Sequence, residues 1–237
     1  MMRAFALGFL MLFAAASLPA ASPAEEVSAA IKKLKDQGNY AWTTTVESSG
    51  TTTNPPRRTV TEGKVAKDGT IYLAIPRYTQ KMESLTRGKK TAYKVLGEWQ
   101  GLNLEPEGGG ATNRFRLGGR SRFSAPPPDA EAAELLAKAA NLKREGADFV
   151  GELSPADAYE VAMMGVRIRT ATIAEDQTKG RLRFTVKDGM LAGYECHVTA
   201  AFTVGGSPRK VDRTVRVVIS DVGKASFEIP PEAAKFL

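Results

Sequence analysis

The sequence predicts an α+β protein: a large antiparallel sheet, apolar on one face, with an N-terminal helix and two mid-chain helices covering that face. Three observations carry this reading. The last third of the chain alternates apolar and polar residues through three long runs joined by DG and GG turns. The segment following the N-terminus alternates in the same way through shorter runs. Between them lie stretches whose apolar residues recur at helical spacing, with capping residues in place.

The chain opens MMRAFALGFLMLFAAASLPAASPAEE, with one arginine, an apolar run from Ala4 to Leu18, then small residues and prolines before Glu25 and Glu26. That order marks an export signal, and the run is too short for a comfortable bilayer span. Ser22 and Ala24 satisfy the small-x-small rule, so cleavage is expected after Ala24, giving a signal peptide over 1–24 and a single domain over 25–237. Cleavage after Ser22 would leave Pro23 just past the cut, a poor arrangement. No cysteine follows the apolar run, so no lipoprotein anchor is expected; the alternative is a retained N-terminal anchor. The expected location is the periplasm or the cell exterior, with no transmembrane helix in the mature chain. One cysteine cannot form an internal disulfide, so stability must come from a packed core.

The 33 Lys and Arg outnumber the 26 Asp and Glu, for a net charge of +7. These basic residues are scattered, and an exported protein seldom meets nucleic acid, so no nucleic-acid partner is expected. A solvated basic face, or one that tolerates anionic headgroups at a membrane surface, accounts for the charge.

Val27, Ala30, Ile31 and Leu34 fall at helical spacing, with acids in the first turn and Gly38 beyond the end. Tyr40, Trp42, Thr44 and Val46 then share a strand face, as do Ile71, Leu73 and Ile75; TQKMESLTRG and KKTAYKVLGEW extend the meander. Periodicity fails over 101–128, where Arg114, Arg116, Arg120 and Arg122 alternate with apolar residues including Phe115 and Phe123. A lid, an edge strand or a disordered loop is expected there, rather than an RNA-binding element. Asp129 is placed to cap a helix with the stripe Ala132, Leu135, Leu136, Ala139 and Leu142, running to Gly146. After a strand in ADFVGEL, Ser154 caps a second helix, Pro155 takes its first position and Asp157 completes a capping-box pattern. In the last third, Leu182, Phe184 and Val186 form one face of the first long strand. Met190, Ala192, Tyr194, Cys196, Val198, Ala200, Phe202 and Val204 form one face of the second. Val211, Val215, Val217 and Ile219 form that of the third, with Arg213 as the exception.

Cys196 and His197, the only residues of their kinds, are adjacent and invite comparison with a thiol nucleophile and its base. Successive strand side chains point to opposite faces, so the two cannot reach each other. Cys196 belongs to the apolar set, where a thiol behaves as a small hydrophobe, and His197 to the polar one. One His and one Cys cannot assemble the usual zinc or copper sites, no acidic loop has calcium spacing, and the GG elements lack a phosphate loop's context. No cofactor, metal or catalytic residue is expected, and the chain is read as a non-enzyme.

GRLRFTVKDGMLAGYECHV, the ending VDRTVRVVISDVGKASFEIPPEAAKFL with its strand, D-x-G, strand and proline sequence, and the earlier GEWQGL together resemble the LolA-like superfamily of bacterial envelope proteins. That group includes lipoprotein carriers, LppX-type lipoproteins and RseB-type stress sensors. The resemblance implies a strongly curved antiparallel sheet, an incomplete barrel whose concave apolar face is covered by helices. It also implies a role in holding or ferrying a lipid or a lipidated protein, without catalysis. The apolar candidates for such a concavity are Trp42, Leu135, Leu136, Met163, Met164, Leu182, Phe184, Tyr194, Cys196, Val198, Phe202 and Val217. In the alternative reading the helices fill the concavity, and the chain is an envelope sensor or protein-interaction module. The sequence leaves ligand and oligomeric state open.

Overall fold

The computed structural model describes residues 21–51, 53–77, 80–103, 116–117, 120–121, 125–163 and 170–237. The expected signal peptide, Met164 and most of the 101–128 stretch lie outside the described residues.

Helix α1 (Pro23–Gln37) starts on a capping box: the Glu25 amide donates to the Ser22 hydroxyl, and the Ser22 amide donates to the Glu25 carboxylate at 2.7 Å. Gly38, in a left-handed conformation, ends it, and Val27, Ala30, Ile31 and Leu34 are its buried stripe, as their spacing predicts. The expected cut after Ala24 falls inside the first turn, so a chain trimmed there starts the helix without its cap.

Six strands follow as a meander: β1 (Tyr40–Gly50), β2 (Thr53–Val65), β3 (Ile71–Arg77), β4 (Gln80–Arg87), β5 (Lys90–Val95) and β6 (Glu98–Asn103). Two short strands, β7 (Arg116–Leu117) and β8 (Arg120–Ser121), pair only with each other. Helix α2 (Pro128–Lys138), strands β9 (Ala140–Glu145) and β10 (Asp148–Leu153), and helix α3 (Pro155–Ala162) come next. Then follow β11 (Thr172–Ile173), a 3-10 turn at Glu175–Gln177, the long strands β12 (Lys179–Lys187), β13 (Met190–Val204) and β14 (Ser207–Ser220), and the short helix α4 (Pro231–Ala234).

Twelve strands form one antiparallel sheet in the order β6-β5-β4-β3-β2-β1-β14-β13-β12-β10-β9, with β11 alongside β13. The first and last halves of the chain therefore meet where β1 pairs with β14, Trp42 opposite Ile219 and Val46 opposite Val215. The sheet does not close, since β6 and β9 are its two edges, and it forms the incomplete α+β barrel expected of the sequence. Helices α1 and α3 pack on β12 and β13, and α2 packs on α1. Close approach has a local cause at Gly180, where an added Cβ would come within 2.8 Å of Leu153 and 3.1 Å of Ala158 on α3.

Three sequence expectations are corrected. Helix α2 stops at Lys138 rather than near Gly146, because Ala140–Glu145 pairs with β10 through a hairpin that turns at Gly146 in a left-handed conformation. Strand pairing there outweighs the helical propensity of a stretch rich in alanine and leucine. Asp129 is not the cap: the capping position is Pro127, and Asp129 accepts a hydrogen bond from Tyr40 instead. In β13 an irregularity opposite Thr185 and Val186 shifts the parity, so Leu191 is buried while Met190 and Ala192 are only half-buried. From Tyr194 onward, the predicted face holds.

The C-terminal segment covers the opposite, convex face of β3–β6. Phe227, Ile229, Ala233 and Leu237 form a second small apolar cluster with Tyr72, Leu85, Ala92 and Trp99.

Candidate ligand-binding concavity

The pairing register fixes which side chains share the concave face. Across the centre one row reads Gly63, Trp42, Ile219; the next reads Thr61, Thr44, Val217, Tyr194, Phe184, Phe149; the next Thr59, Val46, Val215, Cys196, Leu182, Gly151. Of the twelve residues singled out from the sequence, Trp42, Leu135, Leu182, Phe184, Tyr194, Cys196, Val198, Phe202 and Val217 are buried in one cluster. Leu136 and Met163 pack half-buried against it. Met164 lies outside the described residues.

The concavity is unevenly filled. Beneath α1 and α3 it is solid: Phe184 and Val198 have no exposed surface, and Tyr159 of α3 meets Phe202 edge-on at 5.1 Å. Toward β1, β3 and β14, Trp42, Leu73 and Val217 are buried, but Val46, Ile71, Ile75, Val215 and Ile219 are only half-buried. The described helices α1 and α3 pack on the other half of the sheet, against β12 and β13.

Two tyrosines of the sheet floor reach up to α2. Tyr40 donates to the Asp129 carboxylate, and Tyr194 donates to Glu131 at 2.9 Å. Both rings are buried, so each hydroxyl needs a partner, and a carboxylate acceptor is stronger than a neutral one. Burial, then the Asp129 carboxylate, push the Tyr40 hydroxyl well above its ordinary range. Sequence reading placed Tyr40 on the inner face but missed its partner, because Asp129 looks like an ordinary cap.

Cys196 and His197 stand on opposite faces of β13, as the alternation predicts. Cys196 lies between Leu182 and Val215 and is 1% exposed; burial pushes its thiol up to about 12. His197 lies on the outer face, where its ring nitrogen is 3.2 Å from Asp212. A buried thiol held protonated, with the imidazole on the opposite face of the strand, does not fit a thiol–imidazole pair. Among the described residues, no three His, Cys, Asp or Glu side chains converge on a metal position.

Arg213, the exception in the third strand, faces the concavity. It lies between Ser48 and Val198 in the register and donates to the Ser48 hydroxyl at 2.7 Å and to the carbonyl of Ala162, the last residue of α3. No carboxylate among the described residues pairs with it, and burial pulls its guanidinium below the ordinary range.

A cavity of about 290 Å³ lies on the convex side, between the sheet and the C-terminal segment, lined by Lys64, Tyr72, Glu83, Lys94, Trp99 and Phe227 among others. Its polar groups engage one another: Tyr72 donates to Glu83 at 2.6 Å, Lys94 lies 3.8 Å from Glu83 and sits over Trp99, and Lys64 donates to the Ser226 carbonyl at 3.3 Å. Of these contacts only that of Lys64 ties the C-terminal segment to the sheet; the others join neighbouring strands.

The fold and the site define an open antiparallel half-barrel, partly plugged by helices, with a greasy interior and no assembled catalytic group among the described residues. Solved structures similar to it in chain course include LprF from Mycobacterium bovis, at 12% identity over 89% of this chain and 97% of that one, with a TM-score of 0.44. The lipoprotein LppX from Mycobacterium tuberculosis is similar at 12% identity over 85% and 97%, TM-score 0.39. A LolA superfamily protein from Nitrosomonas europaea is similar at 8% identity over 88% and 96%, TM-score 0.35. No protein-family model and no curated protein sequence matches the chain. At such low identities and TM-scores, the functional reading rests on the chain's own residues.

Proposed function

We propose that this chain is an exported envelope protein that binds or carries a lipid, or a lipidated or amphiphilic molecule, against its concave face, without catalysis. The observation that carries the reading is the uneven filling of that face. Val46, Val215 and Ile219 on β1 and β14, and Ile71 and Ile75 on β3, face the concave side beside the helix-covered half and remain half-buried around the buried Trp42, Leu73 and Val217. Apolar side chains left partly open on a concave face are suited to a greasy ligand, and an acyl chain matches their chemistry. Half-buried Met163, at the end of α3, packs against the same core and is a side chain that adapts to irregular ligands. Export rests on the N-terminal sequence.

The test is native mass spectrometry and solvent extraction of freshly purified protein, together with uptake of a fluorescent fatty acid. Bound lipid, or saturable uptake, is expected; a clean apo mass and no uptake would remove the reading. The solid half under α1 and α3 favours a second one, an envelope sensor or protein-interaction module with a filled core. A stable protein partner recovered from envelope extracts by lipid-free protein would support that instead.

A further inference from the structure

On β1, β2, β12, β13 and β14, charged residues take inner positions at one end only. In the register, Arg57 of β2 stands opposite Ser48 of β1, and Arg213 of β14 stands opposite the same Ser48 from the other side. The two arginine backbones are thus two strand spacings apart, roughly 10 Å, within joint reach of one headgroup for side chains of this length. Arg209, four residues earlier on β14 and opposite Phe202, has the same facing. These three lie at the end of the half-barrel marked by the β1–β2 and β13–β14 turns. The inner positions of β1, β2, β12, β13 and β14 hold no Asp or Glu at all; their acids, Glu47, Glu62, Glu195 and Asp212, fall on the outer parity.

The nearby acids of α3 are already engaged, since Lys138 lies 2.8 Å from Glu160 and 3.5 Å from Asp157. Arg57 and Arg209 are exposed and form no ion pair among the described residues. A half-buried guanidinium whose partners among the described residues are a hydroxyl and a carbonyl retains donors for an anion, and arginine presents them in a planar fork suited to carboxylate or phosphate.

We infer that the ligand of the concavity is an amphiphile with an anionic headgroup, held by Arg213 with Arg57 and Arg209, its tail lying along Val215, Val46 and Ile75. This rests on the lipid-binding reading and deepens it. The headgroup chemistry is shared by carboxylates and phosphate monoesters, and the alternation of β14 shows why the site is formed. Arginines at 209 and 213 occupy the parity that otherwise holds Val211, Val215, Val217 and Ile219.

The experiment compares binding of oleate, 1-oleoyl-lysophosphatidate and monoolein, which share one acyl chain and differ in head charge, by displacement of a fluorescent probe. At least one anionic ligand is expected to bind about tenfold or more tighter than monoolein, with a preference that shrinks as salt rises. Replacing the exposed pair, R57Q with R209Q, should erode that preference while leaving the melting temperature unchanged. R213Q should abolish the preference, and R213K, which keeps the charge but not the fork, should restore part of it. Equal affinity for all three ligands, or a preference untouched in the double variant and in R213Q, would overturn the anionic assignment while leaving lipid binding standing. Failure of all three to bind would remove both.

Discussion

Removing one oxygen atom at Tyr40 tests how α2 is held over the sheet. In Tyr40→Phe the ring stays, with its tilted contact to Trp42 at 6.0 Å between centroids, so packing is conserved. What is lost is a hydrogen bond from a buried hydroxyl to the Asp129 carboxylate. Bonds to charged groups contribute about 1.5–3 kcal/mol, which for a chain of this size lowers the Tm by roughly 3–12 °C. Asp129→Ala removes the other partner, leaves the hydroxyl buried without its acceptor, and should cost about 1–3 kcal/mol. Once either is gone the other has little left to lose, so the double variant should be more stable than the sum of the single losses implies by about 1–2 kcal/mol.

The sign with pH follows from the raised Tyr40 hydroxyl: its contribution is fully present below the unfolded value of 10.0 and is lost as pH climbs above that value. The advantage of the parent over Tyr40→Phe should therefore shrink above pH 10 and not below it. Urea melts of the four proteins give the cycle, and hydrogen exchange along residues 132–138 reports whether α2 loosens. Additivity within about 0.5 kcal/mol, with unchanged exchange in α2, would refute the clamp.

Two further outcomes follow from the core. Cys196 should resist a disulfide-exchange reagent at pH 8 in the native protein and react promptly in denaturant, because its thiol is buried and protonated; fast native labelling would show that β13 opens or is misplaced. Gly63→Ala places a methyl group 2.2 Å from the Trp42 ring, so Trp42 must shift, at a cost of about 1–3 kcal/mol. A near-ultraviolet dichroism change with a lowered urea midpoint is expected, whereas a neutral substitution would mean that the Trp42 ring lies elsewhere.

Much of this molecule was legible in the residues alone. Alternation over Leu182 to Phe184, Tyr194 to Phe202 and Val211 to Ile219 predicts three strands with a shared inner face, and the parity of β13 separates Cys196 from His197 without any coordinates. Alternation is a local property, set by two residues per repeat, so it survives reading without a partner strand. Capping is equally local, and Ser22 and Ser154 both cap as expected. Helix α2 is shorter than its composition predicts because local and long-range signals compete: Ala140–Glu145 has helical composition, and the presence of β10 beside it makes it a strand.

The sequence by itself determined the inner face, the absence of a thiol–imidazole pair and the composition of the apolar surface, because side-chain periodicity and residue identity suffice for each. Tertiary structure alone decided that β1 and β14 join the two halves, that Tyr40 and Tyr194 clamp α2 through Asp129 and Glu131, and that Arg57 comes to stand across Ser48 from Arg213. Those pairings join residues up to 179 positions apart in sequence, Ala41 and Ser220 at their widest (220 − 41). They arise when strands find register, and register is fixed by the whole buried face at once.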